Sequence, residues 1–214
     1  MSKKSVCAIG AGYWGKNHIR TLYELGHLGG IVESNPETLD HFSELYPDVK
    51  GFLSLDEALQ DIRLLGYIVA TPPKTHFPLT KQIIEAGKHV LVEKPLSLQE
   101  DHAEELVRIS DEKNVNLMVG HVLLFHPAIR KIKALIDSGE IGKLQYIYSN
   151  RLNLGQIRTE ENVFWSLAPH DISIFQYFTD SFPINISASG STFLQKGIHD
   201  LTITQLKYPN GAEG

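Results

Sequence analysis

Along the first half of the chain, short apolar runs alternate with longer amphipathic stretches, the pattern of a parallel sheet covered by helices. Ser5 to Ile9 reads as a buried strand that stops at Gly10, and Trp14 to Leu25 reads as a helix stopped by Gly26. Leu28 to Val32 is the second strand. Asn35-Pro36-Glu37 then supplies an N-cap, a proline for the first helical position and an acid for the first turn. Ser54-Leu55-Asp56-Glu57 forms a capping box for a third helix, Leu64 to Ala70 a strand, Thr75 to Ala86 a helix ended by Gly87, and His89 to Val92 another strand. A second capping box, Ser97-Leu98-Gln99-Glu100, opens a helix to Lys113 that leads into a strand at Asn116 to Val119.

The rhythm changes between Gly120 and Pro127, which divides the chain into a first domain of 1–121 and a second of 122–214. The second part reads as a helix from Ala128 to Ser138, a half-buried strand over Leu144 to Asn153, a helix from Pro169 to Phe178, and strands at Asn185 to Phe193 and Asp200 to Tyr208. That order suggests an α+β domain, with Phe175, Tyr177 and Phe178 as core residues of its helix. No repeat or low-complexity segment interrupts either part.

Composition narrows the function classes. The 214 residues carry 20 Lys plus Arg against 25 Asp plus Glu, a formal charge of −5, and 42% are apolar. This is a globular composition with no basic stripe for nucleic acid phosphates. No apolar run approaches the roughly 20 residues of a membrane-spanning helix, and the basic start runs into glycines too soon for a signal peptide. Cys7 is the only cysteine, so no internal disulfide forms, which suits a reducing cytoplasm; its apolar strand makes it an inert core residue.

The candidate chemistry begins at Gly10-Ala11-Gly12-Tyr13-Trp14-Gly15, a G-x-G-x-x-G between a predicted strand and a predicted helix. Gly10 permits a tight turn, Gly12 a close backbone approach to a pyrophosphate, and Gly15 close helix packing, with the helix N-terminus facing the anion. Alone, the hexapeptide is also compatible with a glycine-rich turn. Glu33 strengthens the functional reading: it ends the second strand, 18 residues beyond Gly15, near the roughly 20-residue offset of the acid that binds a ribose 2′-hydroxyl. A carboxylate there repels a 2′-phosphate, which favours NAD over NADP; the alternative is a solvated surface charge. The fold class is therefore α/β, a Rossmann-type doubly wound parallel sheet followed by an α+β domain.

Two further segments, Ala70-Thr71-Pro72-Pro73-Lys74-Thr75-His76 and Glu93-Lys94-Pro95, fall at carboxyl ends of predicted strands, where such sheets bind ligands. A cleft lysine held by the following proline can donate a charge-assisted hydrogen bond to a developing oxyanion, although spacing alone favours an exposed Lys94 paired with Glu93. His76, His89, His121, His126 and His170 show no zinc-ligand spacing, so no metal is expected.

The glycine loop at 10–15, Ala70-Thr71-Pro72-Pro73 with His76, Glu93-Lys94-Pro95 and Gly120-His121 together resemble the glucose-fructose oxidoreductase and inositol dehydrogenase (Gfo/Idh/MocA) family over essentially the whole chain. Gly12-Tyr13-Trp14-Gly15-Lys16-Asn17, Arg151-Leu152-Asn153-Leu154-Gly155 and Trp165-Ser166-Leu167-Ala168-Pro169-His170-Asp171 look most like its nucleotide-sugar 3-dehydrogenases, which oxidise the 3-hydroxyl of UDP-N-acetylglucosamine or its uronic acid. The resemblance implies NAD bound by Gly10, Ala11, Gly12, Tyr13, Trp14, Gly15, Glu33, Thr71, Pro72, His76, Glu93, Lys94 and His121. It implies Lys94 and His170 as catalytic residues that also touch substrate, and an open, mainly antiparallel sheet in the α+β domain through which a homo-oligomer forms. Many relatives carry an aspartate four residues before the histidine, where this chain has Ser166, so a Lys-Asp-His triad is not available.

His170 is expected near the start of a helix, whose positive end keeps imidazole neutral. Arg151, Asn153 and Arg158 are candidates for the substrate pyrophosphate, with surface strand charges as the alternative; Trp165 either packs in the core or against a ligand. Relatives give their second domain more than the 93 residues of 122–214, so it is expected to be incomplete at its C-terminal end, or naturally short. Two rival functions stay open: the same machinery acting on a free sugar or polyol, and a non-catalytic dinucleotide-binding regulator or subunit.

Overall fold

The computed structural model describes residues 4–152, 157 and 161–214, which form two units, one up to Gly120 and one from His121 to Gly214. In the first unit the strands are β1 (Val6–Ile9), β2 (Leu28–Val32), β3 (Lys50–Phe52), β4 (Gly66–Val69), β5 (His89–Val92) and β6 (Leu117–Val119). All pair in parallel in the order β3-β2-β1-β4-β5-β6. The order reverses between β1 and β4, so a crevice opens outside their carboxyl ends.

Helices α1 (Gly15–Glu24), α2 (Pro36–Leu45), α3 (Leu55–Leu59), α4 (His76–Glu85) and α5 (Glu100–Lys113) connect the strands. The parallel strands are buried by helix side chains, which is why they read as continuous apolar runs. One core joins Ile9, Val69 and Val92 to Ile83, Ile84 and Leu106; the other joins Ala8, Leu28 and Ile31 to Ile19, Leu39 and Phe42. Cys7 is fully buried, and burial raises its thiol pKa far out of the reactive range.

Several caps match their sequence signals. The Asn35 side chain accepts from Thr38 N–H at 3.1 Å, with Pro36 opening α2. Ser54 Oγ accepts from Glu57 N–H at 3.3 Å, while Glu57 reaches back to the N–H of Leu53. The second capping box does not form: Ser97 Oγ bonds to the backbone of Gln99, and α5 begins two residues later than that box implies, behind a Gln99 cap without a side-chain bond. Here the Ser97 side chain closes a local turn rather than a helix end. The short β3 was not anticipated, because only Phe52 of its three residues is buried.

The second unit contains α6 (Pro127–Asp137), α7 (Val163–Thr179), β7 (Asn185–Ser191) and β8 (Leu201–Lys207), with the two strands antiparallel. Ile174, Phe175 and Phe178 of α7 pack on Leu206, Tyr208 and Ala212, and Tyr177 borders this core. Lys133 of α6, whose side chain is 10% exposed, bonds to Asp137 and to Asp180 at the end of α7. Two expectations fail. α7 starts six residues early because Asn162 caps it, accepting from Trp165 N–H at 3.0 Å; Pro169 lies inside the helix. Within Leu144 to Asn153, the described residues form only a bridge from Tyr146 to Glu213, because Gln145 and Ile147 find backbone partners at Glu213 alone; Asn153 lies outside the described residues.

Leu106 is fully buried in the face of α5 that covers the sheet. Leu106→Ala is expected to lower the stability of the first unit by about 2–5 kcal/mol, measured by urea unfolding.

Candidate functional site

The crevice side of the first unit is built on the glycine loop. Gly10 has φ +87°, and a Cβ on Gly15 would lie 1.9 Å from the Gly10 carbonyl oxygen, so the first turn of α1 rests directly on the end of β1. A Cβ on Gly12 would meet nothing within 4 Å. Packing therefore does not demand that glycine, and the open space beside it leaves room for a ligand to approach the backbone closely. The start of α1 carries no side-chain cap and no acid in its first turn, leaving its positive end for an anion. Tyr13 is 84% exposed, beside this end.

Glu33 follows β2 and reaches the loop from the other side. Its carboxylate accepts from Ala11 N–H at 2.9 Å and from Asn35 N–H at 3.0 Å. The expected acid and the expected loop are thus bonded to one another, with oxygen lone pairs left to receive further hydroxyls. This chemistry fits the adenosine half of a dinucleotide.

At the end of β4, Thr71 hydrogen-bonds to Thr75, and Pro72 precedes a single 3₁₀ turn over Pro73–Thr75. His76 differs from expectation as a direct cofactor contact. It is 1% exposed, and its ring nitrogens lie 2.7 Å from the Pro95 carbonyl oxygen and 2.8 Å from that of Thr71. It therefore sits behind the crevice and ties the two crevice segments together.

At the end of β5, Glu93 accepts from Trp14 Nε1 at 2.6 Å and from His18 Nε2 at 2.7 Å. Burial pushes its carboxyl pKa up, but the His18 and Trp14 donors and the Lys94 N–H outweigh that and lower it below the ordinary glutamate value. Lys94 is half-buried and joined to Pro95 by a cis peptide bond. His18 escaped the sequence reading; its signal is its position four residues after Trp14, hence on the same helix face.

In the second unit, His170 is half-buried and lies in the middle of α7, so the helix terminus cannot hold its imidazole neutral in the way the sequence suggested. Ser166, one turn earlier, is buried. Arg151 makes a two-pronged ion pair with Asp171, Nε to Oδ2 at 2.7 Å and Nη2 to Oδ1 at 3.2 Å. The pair lines an open cleft of about 450 Å³ with Ser149, Asn150, Leu152 and Leu167. One edge of the guanidinium is therefore committed to Asp171, a partner the sequence did not reveal because 20 residues separate them. His121 borders a second cleft, of about 400 Å³, with Tyr177 and Asp180. Trp165 is 36% exposed; Arg158, like Asn153, lies outside the described residues.

A doubly wound parallel sheet with a glycine loop, an uncapped helix start and a carboxylate at the second strand defines a dinucleotide-binding protein. The family description "Oxidoreductase family, NAD-binding Rossmann fold" matches residues 4–121, and "GFO/IDH/MocA C-terminal domain" matches 129–214. The chain belongs to the Gfo/Idh/MocA oxidoreductase family, and its first unit is an NAD-binding Rossmann domain. It is 27% identical to UDP-N-acetylglucosamine 3-dehydrogenase of Acidithiobacillus ferrooxidans over 85% of this chain and 56% of that one. It is 23% identical to inositol 2-dehydrogenase of Rhizobium meliloti over 90% of this chain and 60% of the other. The chain thus spans less than two thirds of the length of these curated relatives. The solved structure of the A. ferrooxidans enzyme, GnnA, superposes with a TM-score of 0.87 at 25% identity, covering 98% of this chain and 67% of that one. Among the described residues, no helix is long and apolar enough to cross a membrane.

Because the Gly15 Cβ position overlaps the Gly10 carbonyl, Gly15→Ala is expected to shift α1 away from β1 and weaken NADH binding at least about tenfold. Gly12→Ala, which meets no protein atom, is expected to leave unfolding unchanged while also weakening NADH. Titration calorimetry alongside thermal melts separates the two effects.

Proposed function

We propose that this protein is an NAD-dependent dehydrogenase that oxidises a sugar hydroxyl, with C3 of a UDP-N-acetylhexosamine or its uronic acid as the substrate position. The observation that carries this reading is the uncapped start of α1 at the crevice, bonded through Ala11 to Glu33, in a chain that also carries Glu93-Lys94-Pro95 and His170. The likeness to a UDP-N-acetylglucosamine 3-dehydrogenase supports the substrate class.

Bound NAD supplies the hydride acceptor. The N–H groups from Gly12 to Gly15 hold its pyrophosphate, Glu33 accepts from the adenosine ribose, and Thr71, Pro72, Glu93 and His121 wall the remainder. His170 takes the proton of the reacting hydroxyl as the hydride leaves the same carbon. The Lys94 ammonium holds the oxygen as charge develops, so that oxidation leaves a carbonyl at that carbon. Ser166 carries no negative charge, so His170 works without a carboxylate one turn before it. Arg151, Asn153 and Arg158 serve the substrate, Arg151 through the N–H groups that Asp171 does not use. The enzyme works as a cytoplasmic homo-oligomer in this reading.

A second reading is favoured by the Arg151–Asp171 pair itself. Its opposite charges cancel beside the cleft, which suits an uncharged sugar or polyol better than a diphosphate.

Reduced nicotinamide absorbance, followed with UDP-sugars and free polyols and with an oxidant present to recycle NADH, separates the two readings. Turnover with UDP-N-acetylglucosamine or its uronate is the expected result, and turnover with myo-inositol alone would select the second. Lys94→Ala and His170→Ala are each expected to lower turnover at least about 100-fold while NADH affinity changes little; near-normal turnover in both removes their catalytic assignment. Glu33→Ser is expected to improve NADP binding relative to NAD, measured as the ratio of the two dissociation constants.

A further inference from the structure

The carboxylate of Glu93 stands where β5 hands over to Lys94, and donors from two parts of the chain converge on it. Oε1 accepts from Trp14 Nε1 at 2.6 Å and from His18 Nε2 at 2.7 Å, while Oε2 faces the Lys94 N–H at 3.3 Å. The adjoining backbone is tied on both sides: Glu93 N–H donates to Val69 at 2.9 Å, and Gly120 N–H donates to Val92 at 2.7 Å. A Cβ on Gly120 would lie 3.1 Å from the Glu93 carboxylate, so β6 leaves it no room to swing that way. The side chains of His18 and Glu93 are 23% and 13% exposed, an environment in which hydrogen bonds to a carboxylate are strong and directional. Trp14 belongs to the glycine loop and His18 to the next turn of α1, so the Glu93 carboxylate joins the pyrophosphate loop to the residue before Lys94.

We propose that His18, assisted by Trp14, is a positioning residue. It holds Glu93 against α1 and thereby fixes the Glu93-Lys94 backbone relative to the glycine loop, making cofactor binding and lysine presentation a single mechanical unit. This rests on the roles given above to the glycine loop and Lys94. His18 acts only through Glu93. The carboxylate can accept but not donate, so Trp14 and His18 must each supply an N–H, and a side chain without one releases it. A released Glu93 is the nearest acid in sequence to Lys94 and can turn toward its ammonium group.

The test compares His18→Leu, which fills the space without a donor, with His18→Gln, which restores an N–H, and with Glu93→Gln. NADH affinity is measured by titration calorimetry, and the rate at which trinitrobenzenesulfonate labels Lys94 is measured by peptide mass spectrometry. His18→Leu and Glu93→Gln are expected to weaken NADH about tenfold and to change the Lys94 labelling rate at least about threefold, with His18→Gln returning both toward the parent. A role confined to stability would lower the melting temperature and leave both quantities unchanged in the folded variant; that result overturns the proposal. Should His18→Leu fail to fold, Trp14→Phe, which keeps an aromatic ring at the position without an N–H donor, is read by the Lys94 labelling rate. If the parent chain binds no NADH, the functional assignment fails separately, and Lys94 labelling with its rescue by His18→Gln still decides the clamp.

Discussion

A side chain at Gly15 would place its first carbon 1.9 Å from the Gly10 carbonyl oxygen, and much of the first unit follows from that closeness. Because α1 begins directly on the end of β1, its N-terminal end lies at the reversal of strand order between β1 and β4. Gly10, with φ +87°, turns the chain sharply enough to make the contact, and Thr71 Cγ2 and the Ala70 carbonyl crowd the same point from β4. Three segments distant in sequence are thereby brought within bonding reach: the loop itself, Glu33 behind it and Glu93 beside it.

Much of the first unit was legible because β1, β2 and β4 are buried almost throughout and the helices on one face, so burial and sequence pattern coincide. Glycines or proline at element ends sharpened the boundaries, as at Gly26, Gly87 and Pro36. Legibility fell where a signal had two physical solutions. Ser97 can cap a helix or close a turn, and it closes a turn. Pro169 suits a helix start, yet Asn162 provides a stronger cap upstream and the helix runs through the proline. The alternation around Tyr146 marks a surface ready to pair, but pairing depends on partners elsewhere in the chain, and among the described residues Glu213 alone supplies them.

For the candidate site the same contrast holds. The glycine loop and Glu33 could be read because their spacing follows from the geometry of one strand, helix and strand unit. Contacts between distant segments could not. His76 carried the right position but not its depth: its ring joins the Thr71 and Pro95 carbonyls and leaves almost no surface. Arg151 carried the right charge, while the acid that engages it sits next to His170 on α7.

That ion pair also sets the field that a ligand approaching this cleft would meet. Arg151 and Asp171, 2.7 Å apart, present a compact dipole rather than a bare cation, and a dipole's field dies away faster with distance than a charge's. A charged molecule in solution is drawn only weakly by Arg151 until it is almost in contact. Any recognition at this wall of the cleft would therefore depend on fit at short range, and the rate of encounter there would gain little from low ionic strength.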